Sequence, residues 1–141
     1  GYIGLELASV WKRLGSDVMV IEFLDHLVSG MDKDISVEFQ KILSKQGIDI
    51  KLDSKVTNVS LVKNKVIVDF TRNKNSKRQR IECDKVLVAV GRQSNIGKEI
   101  FKIGIKLNSQ KKIQVNNKFE TSIKNIFAIG DVINKGPMAS S

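Results

Sequence analysis

The first 52 residues alternate between two apolar periods. In "GYIGLELASVWKRLG", residues 1–15, Leu5, Ala8, Val10, Trp11 and Leu14 recur near the 3.6 spacing of a helix. This predicts a helix over 4–14 that stops at Gly15, where a left-handed residue costs little. "DVMVIEF", residues 17–23, is instead a short apolar, β-branched run, as in a parallel strand buried on both faces. "GMDKDISVEFQKILSKQG" returns to the helical period over 34–46, with Ile35, Phe39, Ile42 and Leu43 turned inward and Gly47 at its end. "IDIKL" reads as the next strand. Beyond it, "KVTNVSLV", "KVIVDFTR" and "RIECD" are short strands separated by turn residues, the pattern of an antiparallel meander. "KVLVAVG", residues 85–91, predicts one more buried strand. The chain then turns polar, which puts a domain boundary near 92–95, and continues through a short "KIQVN" strand to "NIFAIGD", a predicted buried strand closing on Gly-Asp.

Composition narrows the picture only slightly. The 141 residues suit one ordinary domain, and 41% hydrophobic with 28% charged content is globular in character. No apolar run reaches the roughly 18 residues of a membrane span. No initiator Met and no basic n-region before an apolar block are present, so the expectation is a chain whose natural N-terminus lies elsewhere. A lone cysteine, Cys83, fits a reducing compartment and reads as a small buried residue rather than a redox centre. Trp11 and Phe39 are read as core packing and His26 as a loop histidine without a catalytic partner. The net charge of +9 raises the question of an anionic partner. Much of the excess lies in "TRNKNSKRQR", residues 71–80, which has no aromatic residue to stack on a base and reads as a hairpin tip.

Two constellations carry chemistry. Gly1 and Gly4 match the second half of G-x-G-x-x-G, the glycine-rich turn between a strand and a helix that binds a dinucleotide. Gly1 would let backbone approach a pyrophosphate, Gly4 would let the helix pack close to its strand, and the helix N-terminus would offer free N–H groups. A plain helix start would carry the same glycines. Glu22, at the end of the next strand and about 20 residues on, is where a carboxylate accepts hydrogen bonds from the ribose hydroxyls of NAD and repels the 2′-phosphate of NADP. The second is Asp131, at the carboxyl end of "NIFAIGD". A carboxylate there can hold sugar or ribityl hydroxyls, although an ordinary Asp turn has the same pattern.

Four stretches carry a family resemblance: "GYIGLELASVWKRLGSDVMVIEFLDHLVSGMDKDIS", "FQKILSKQGIDIKLDSKVTNV", "CDKVLVAVGRQSN" and "NKFETSIKNIFAIGDVINKGPM". In this order they resemble the pyridine nucleotide–disulfide oxidoreductases, and within them the lipoamide-oxidising flavoproteins of the 2-oxo acid dehydrogenase complexes. The implied fold is α/β. It comprises a Rossmann-like NAD-binding domain over 1–92, N-terminally truncated so that it lacks its first strand and carrying an antiparallel β-meander insertion. Residues 93–141 are then a segment returning to the FAD-binding domain.

The resemblance also implies roles. Gly1, Tyr2, Ile3, Gly4 and Glu6 match the segment along the NAD pyrophosphate and nicotinamide, with Glu6 near the hydride path. Glu22 matches the adenosine-ribose ligand, Val56 a neighbour of the adenine, and Gly91 a residue lining the NAD site. Asp131 and Met138 match contacts to FAD. The implied activity is oxidation of dihydrolipoamide on a lipoyl-domain carrier protein, with electrons passing through FAD to NAD. The implied enzyme is a homodimer with no nucleic-acid or membrane partner, cytoplasmic in a bacterium and mitochondrial in a eukaryote. The family's reactive Cys pair and its His–Glu proton relay have no counterpart here, so no catalytic residue and no metal ligand is assigned, and the chain alone is expected to be inactive.

Two departures stand out. "GRQSN" has Ser94 where the family usually has Pro, and "ASS" follows "GPM" where the family continues Leu-Ala-His. A mercuric- or glutathione-reductase-like relative, usually NADP-dependent, is the nearest alternative. A basic, non-catalytic RNA-binding or subunit-contact module resting on residues 71–80 is the alternative of another class.

Overall fold

The computed structural model describes residues 1–72 and 77–133. The chain divides into two compact units, Gly1–Val90 and Gly91–Ser141.

In the first unit, α1 spans Tyr2–Arg13 and buries Leu5 and Ala8. Lys12 and Arg13 occupy its last turn, where positive charge complements the exposed carbonyls. Gly15, with φ +94°, ends it. Its N–H donates to the Lys12 carbonyl, and the Ser16 N–H reaches back to Trp11, closing the last turn through a left-handed residue. β1 follows at Met19–Ile21, then α2 at Lys33–Lys45 and β2 at Asp49–Lys51. Asp32 caps α2 by accepting from the Asp34 N–H at 2.9 Å. Gly47, φ +84°, repeats the left-handed exit, with Gly47 donating to Ser44 and Ile48 to Leu43. That exit drops Ile48 beside Leu43 in the core.

β1 and β2 pair in parallel, Met19 opposite Asp49 and Ile21 opposite Lys51, so α2 is the crossover of a βαβ unit. Backbone bonds from Asp49 to Val18 and from Glu22 to Lys51 extend the pairing at both ends. The core beneath is Leu5, Ala8, Leu27, Val28, Leu43 and Ile48, with Val18, Val20, Phe39, Ile50 and Leu52 packed against it.

The meander forms as the turn pattern predicts. β3 (Ser54–Val62), β4 (Lys65–Arg72) and β5 (Arg78–Cys83) make an antiparallel sheet in the order β3-β4-β5. A two-residue connection, Lys63–Asn64, joins β3 to β4, with Lys63 at φ +53°. The register shifts between Val56 and Asn58. This irregularity leaves Thr57 outside the ladder, where its hydroxyl donates to the Asp69 carbonyl at 3.1 Å. Val68 and Phe70 of β4 are buried.

Several predicted elements take another form. The segment 85–90 is not a strand, and Val88 and Val90 are 74% and 91% exposed. A strand exists only through its partner. Among the described residues β1 pairs with β2, β5 with β4, and no ladder reaches 85–90. The inner stripe of α2 also differs. Ile35 and Ile42 are exposed, whereas Ser36 and Leu43 are buried and Phe39 packs against the core. Ser36 replaces Ile35 on the buried face because its hydroxyl donates to the Leu27 carbonyl at 2.7 Å, which satisfies both groups away from water. On α1, Val10, Trp11 and Leu14 face outward, so Trp11 is not a core residue.

In the second unit, α3 spans Lys98–Lys102 and a single 3₁₀ turn spans Gly130–Val132. Ile105, Ile113 and Ile133 are its buried apolar residues. Ile113 is the hub: it bridges Leu107 and Ile133, and its N–H donates to the Val132 carbonyl at 2.7 Å. The "KIQVN" and "NIFAIGD" segments make such isolated bridges, Glu120–Phe127 among them, rather than strands. Phe127 and Ile129 are 61% and 72% exposed, so "NIFAIGD" is not a buried strand either. Here too no ladder is available to pair its backbone among the described residues.

Candidate functional site

The α1–β1 connection brings Gly1 and Glu22 together. α1 begins at the carboxyl end of β1, and the Gly1 nitrogen lies 3.3 Å from Glu22 Oε2. Glu22 is held from the other side as well, since the Leu24 N–H donates to its Oε1 at 3.1 Å. The side chain is only 19% exposed, so this carboxylate is fixed at the strand end rather than swinging in solvent. A Cβ on Gly1 would meet nothing within 4 Å, which leaves open space over the first turn of α1. A Cβ on Gly4 would stand 3.2 Å from Ala89 Cβ, so this glycine allows a close approach of α1 to the segment 85–90.

Tyr2 and Glu6 of α1 line a cleft of about 440 Å³ with Val28, Met31, and Phe39 and Ile42 of α2. Ile3 is half-buried on the same helix, and Val56 lies exposed on β3 opposite Phe70. The structure therefore groups Gly1 with Glu22, and Tyr2 with Glu6.

Gly91, at φ +131°, opens the second unit, a backbone state that favours glycine. In that unit Asp131 sits in the 3₁₀ turn, immediately after Gly130 at φ +76°. Arg92 Nη2 lies 2.9 Å from Asp131 Oδ2, and Ser94 Oγ donates to the Asp131 carbonyl at 3.2 Å. These residues, with Gln93, Asn95 and Val132, line a second cleft of about 230 Å³. Met138 lies outside the described residues.

Reading the sequence missed two arrangements. One is this enclosure of Asp131 by Arg92 and Ser94, which are 37 or more positions away along the chain. The other is a charge cluster in the meander. The buried Asp69 carboxylate accepts from Arg80 Nε at 2.8 Å and also from Arg78. These hydrogen bonds hold the Asp69 carboxyl well below the ordinary carboxylate range, overcoming the opposing effect of burial. Alternating Arg78 and Arg80 on β5, one face of a strand, was the available signal. Part of the basic 71–80 stretch is thus engaged within the sheet, and residues 73–76 lie outside the described residues. Cys83 is half-buried, and burial pushes its thiol up, the environment of an inert cysteine. His26 Nδ1 pairs with its neighbour Asp25 in an exposed loop.

A glycine-start helix leading into a parallel βαβ unit, with a carboxylate at the end of its first strand, defines the α/β class of fold. The chain belongs to the pyridine nucleotide-disulphide oxidoreductase family, whose pattern it matches over residues 1–141. It is 46% identical over 143 residues to the mitochondrial dihydrolipoyl dehydrogenases of Bos taurus and Homo sapiens, covering 98% of this chain and 28% of each of those proteins. Among solved structures it resembles the Cu(II) complex of the HOCl-induced flavoprotein disulfide reductase RclA of Escherichia coli. That match has a TM-score of 0.85 and 32% identity, and covers 99% of this chain and 31% of that one. An NAD-dependent persulfide reductase of A. fulgidus superposes with a TM-score of 0.82 at 29% identity, over 94% of this chain and 24% of that one. The chain thus spans under a third of the length of each of these relatives. Among the described residues no helix is long and apolar enough to cross a membrane.

Proposed function

We propose that residues 1–92 are the NAD-binding part of a flavoprotein that oxidises dihydrolipoamide on a lipoyl-domain carrier, and that residues 93–141 supply a contact to its FAD. In the whole protein, a homodimer in this reading, electrons pass from the dithiol through FAD to NAD. The observation that carries the NAD assignment is Glu22, a carboxylate at the end of β1 that is only 19% exposed and is held by the Leu24 N–H at 3.1 Å. A fixed carboxylate at that point suits the two vicinal hydroxyls of an adenosine ribose. It disfavours a 2′-phosphate, which supports NAD over NADP and separates this reading from a glutathione- or mercuric-reductase-like one. The residues fit the cofactors on geometric grounds. Gly1 leaves space for a pyrophosphate to meet the N–H groups at the start of α1. Glu6 and Tyr2 border a cleft beyond it. Asp131 presents a carboxylate to a small polar cleft suited to ribityl hydroxyls.

The nicotinamide and flavin, when bound, supply the hydride chemistry. The chain's own residues bind and orient. Glu22 accepts hydrogen bonds from the ribose hydroxyls, the first turn of α1 donates to phosphate oxygens, and Glu6 places negative charge near the nicotinamide end. The mitochondrial relatives are consistent with the matrix as the compartment in a eukaryote.

The test is Glu22→Arg in the whole protein, with NAD and NADP binding followed by calorimetry. Loss of a charge-assisted pair of hydrogen bonds, about 1.5–3 kcal/mol each, weakens NAD by at least roughly tenfold and narrows its advantage over NADP. Unchanged NAD affinity would remove the ribose assignment.

A further inference from the structure

We infer that Ser94 is a positioning residue for Asp131, setting the direction in which that carboxylate meets a polyhydroxyl ligand. The inference rests on the FAD reading of Asp131 given above and concerns how this chain holds that contact.

Two contacts bear on the direction of Asp131. Arg92 Nη2 engages the side chain, 2.9 Å from Oδ2. Ser94 Oγ engages the main chain, donating to the Asp131 carbonyl at 3.2 Å in a partly buried bond. The second restraint matters because of where Asp131 sits. It lies in a one-turn 3₁₀ segment, Gly130–Val132, preceded by Gly130 at φ +76°. The turn is closed by the Ile133 N–H donating to the Gly130 carbonyl at 3.2 Å, but a turn entered through glycine has few intrinsic preferences at its entry, so a bond from outside adds to its hold on the Asp131 peptide. Ser94, across 37 residues, is such a hold. On the other side of the turn, the Ile113 N–H donates to the Val132 carbonyl at 2.7 Å. The carbonyls of Asp131 and Val132 are therefore each held by a residue from outside the turn, which limits how the Asp131 main chain can rotate. The same Ser94 lines the cleft of about 230 Å³ onto which Asp131 opens. A proline there would stiffen the loop but has no hydroxyl to donate. The serine supplies through a hydrogen bond an orientation that a stiffer chain would have to supply through its own dihedrals.

Ser94→Thr and Ser94→Val are nearly identical in shape and differ in the hydroxyl, so together they separate hydrogen bonding from packing. In the whole protein stripped of flavin, FAD is titrated and its fluorescence quenching followed for the parent, both variants and Asp131→Ala. Ser94→Thr stays within about twofold of the parent, and Ser94→Val binds roughly three- to tenfold more weakly, the loss of one neutral hydrogen bond. Equal affinity of the two variants, whether both strong or both weak, overturns the positioning role. Asp131→Ala distinguishes the two layers of reasoning. If it binds FAD as tightly as the parent, the flavin reading of Asp131 fails and Ser94's role fails with it. If it loses FAD while Ser94→Val keeps parental affinity, only the role of Ser94 fails.

Discussion

Gly4→Ala tests the packing beneath the glycine-rich turn. Alanine is favoured over glycine in a helix by about 0.8–1 kcal/mol, so in open space the change stabilises α1. Gly4 is not in open space. The new Cβ would stand 3.2 Å from Ala89 Cβ, against an ordinary carbon–carbon contact of about 3.5–4.0 Å. The two backbones must separate by a few tenths of an ångström, and overfilling a packed contact costs about 1–3 kcal/mol. Because 85–90 has no ladder to anchor it, with Val88 and Val90 largely exposed, the cost falls near the lower limit. The helix gain and the overlap therefore nearly cancel in the parent chain. In an Ala89→Gly background the obstruction is gone and the full helix gain returns. Urea unfolding of the four proteins of this cycle, followed by circular dichroism, gives a coupling of about 1 kcal/mol between positions 4 and 89. An identical effect of Gly4→Ala in both backgrounds would show that Ala89 is not the neighbour that demands glycine.

Leu43→Ala removes a fully buried side chain from the contact between α2 and the parallel pair, where Ile48 also packs; it destabilises by about 2–5 kcal/mol, read as a lower urea midpoint at constant m-value. The Asp69 carboxyl has its folded value depressed, so its contribution is fully present above the ordinary aspartate value of about 4 and is lost as pH falls through the lower folded value. Thermal melts between about pH 5 and pH 2 therefore show a shallower decline in Asp69→Asn than in the parent; equal slopes would mean that the ion pairs with Arg78 and Arg80 do not persist in solution.

Much of the α/β half was legible in the sequence because its signals are local. Helical spacing, and Gly15 and Gly47 as helix stops, act within a turn or two, and α1 and α2 begin and end within two residues of their expected limits. The strands of the meander were legible for the same reason, each bounded by its own turn residues. Glu22 was legible because a helix and the strand after it fix the distance along the chain between glycine turn and strand end.

Only tertiary structure decided the rest. "KVLVAVG" and "NIFAIGD" have the composition of strands, yet strand formation requires a partner's N–H and C=O groups, and composition does not carry that information. Whether Ile35 or Ser36 faces inward on α2 differs by about 100° of helix rotation, and the Leu27 carbonyl waiting beneath Ser36 made the choice. The hold on Asp131 by Arg92 and Ser94 joins residues nearly 40 positions apart. By itself, then, the sequence determined the family, the local elements and the candidate dinucleotide turn. Which apolar runs became strands, and what fastens each carboxylate, depended on groups brought near only by folding, because hydrogen bonds are made between neighbours in space rather than neighbours along the chain.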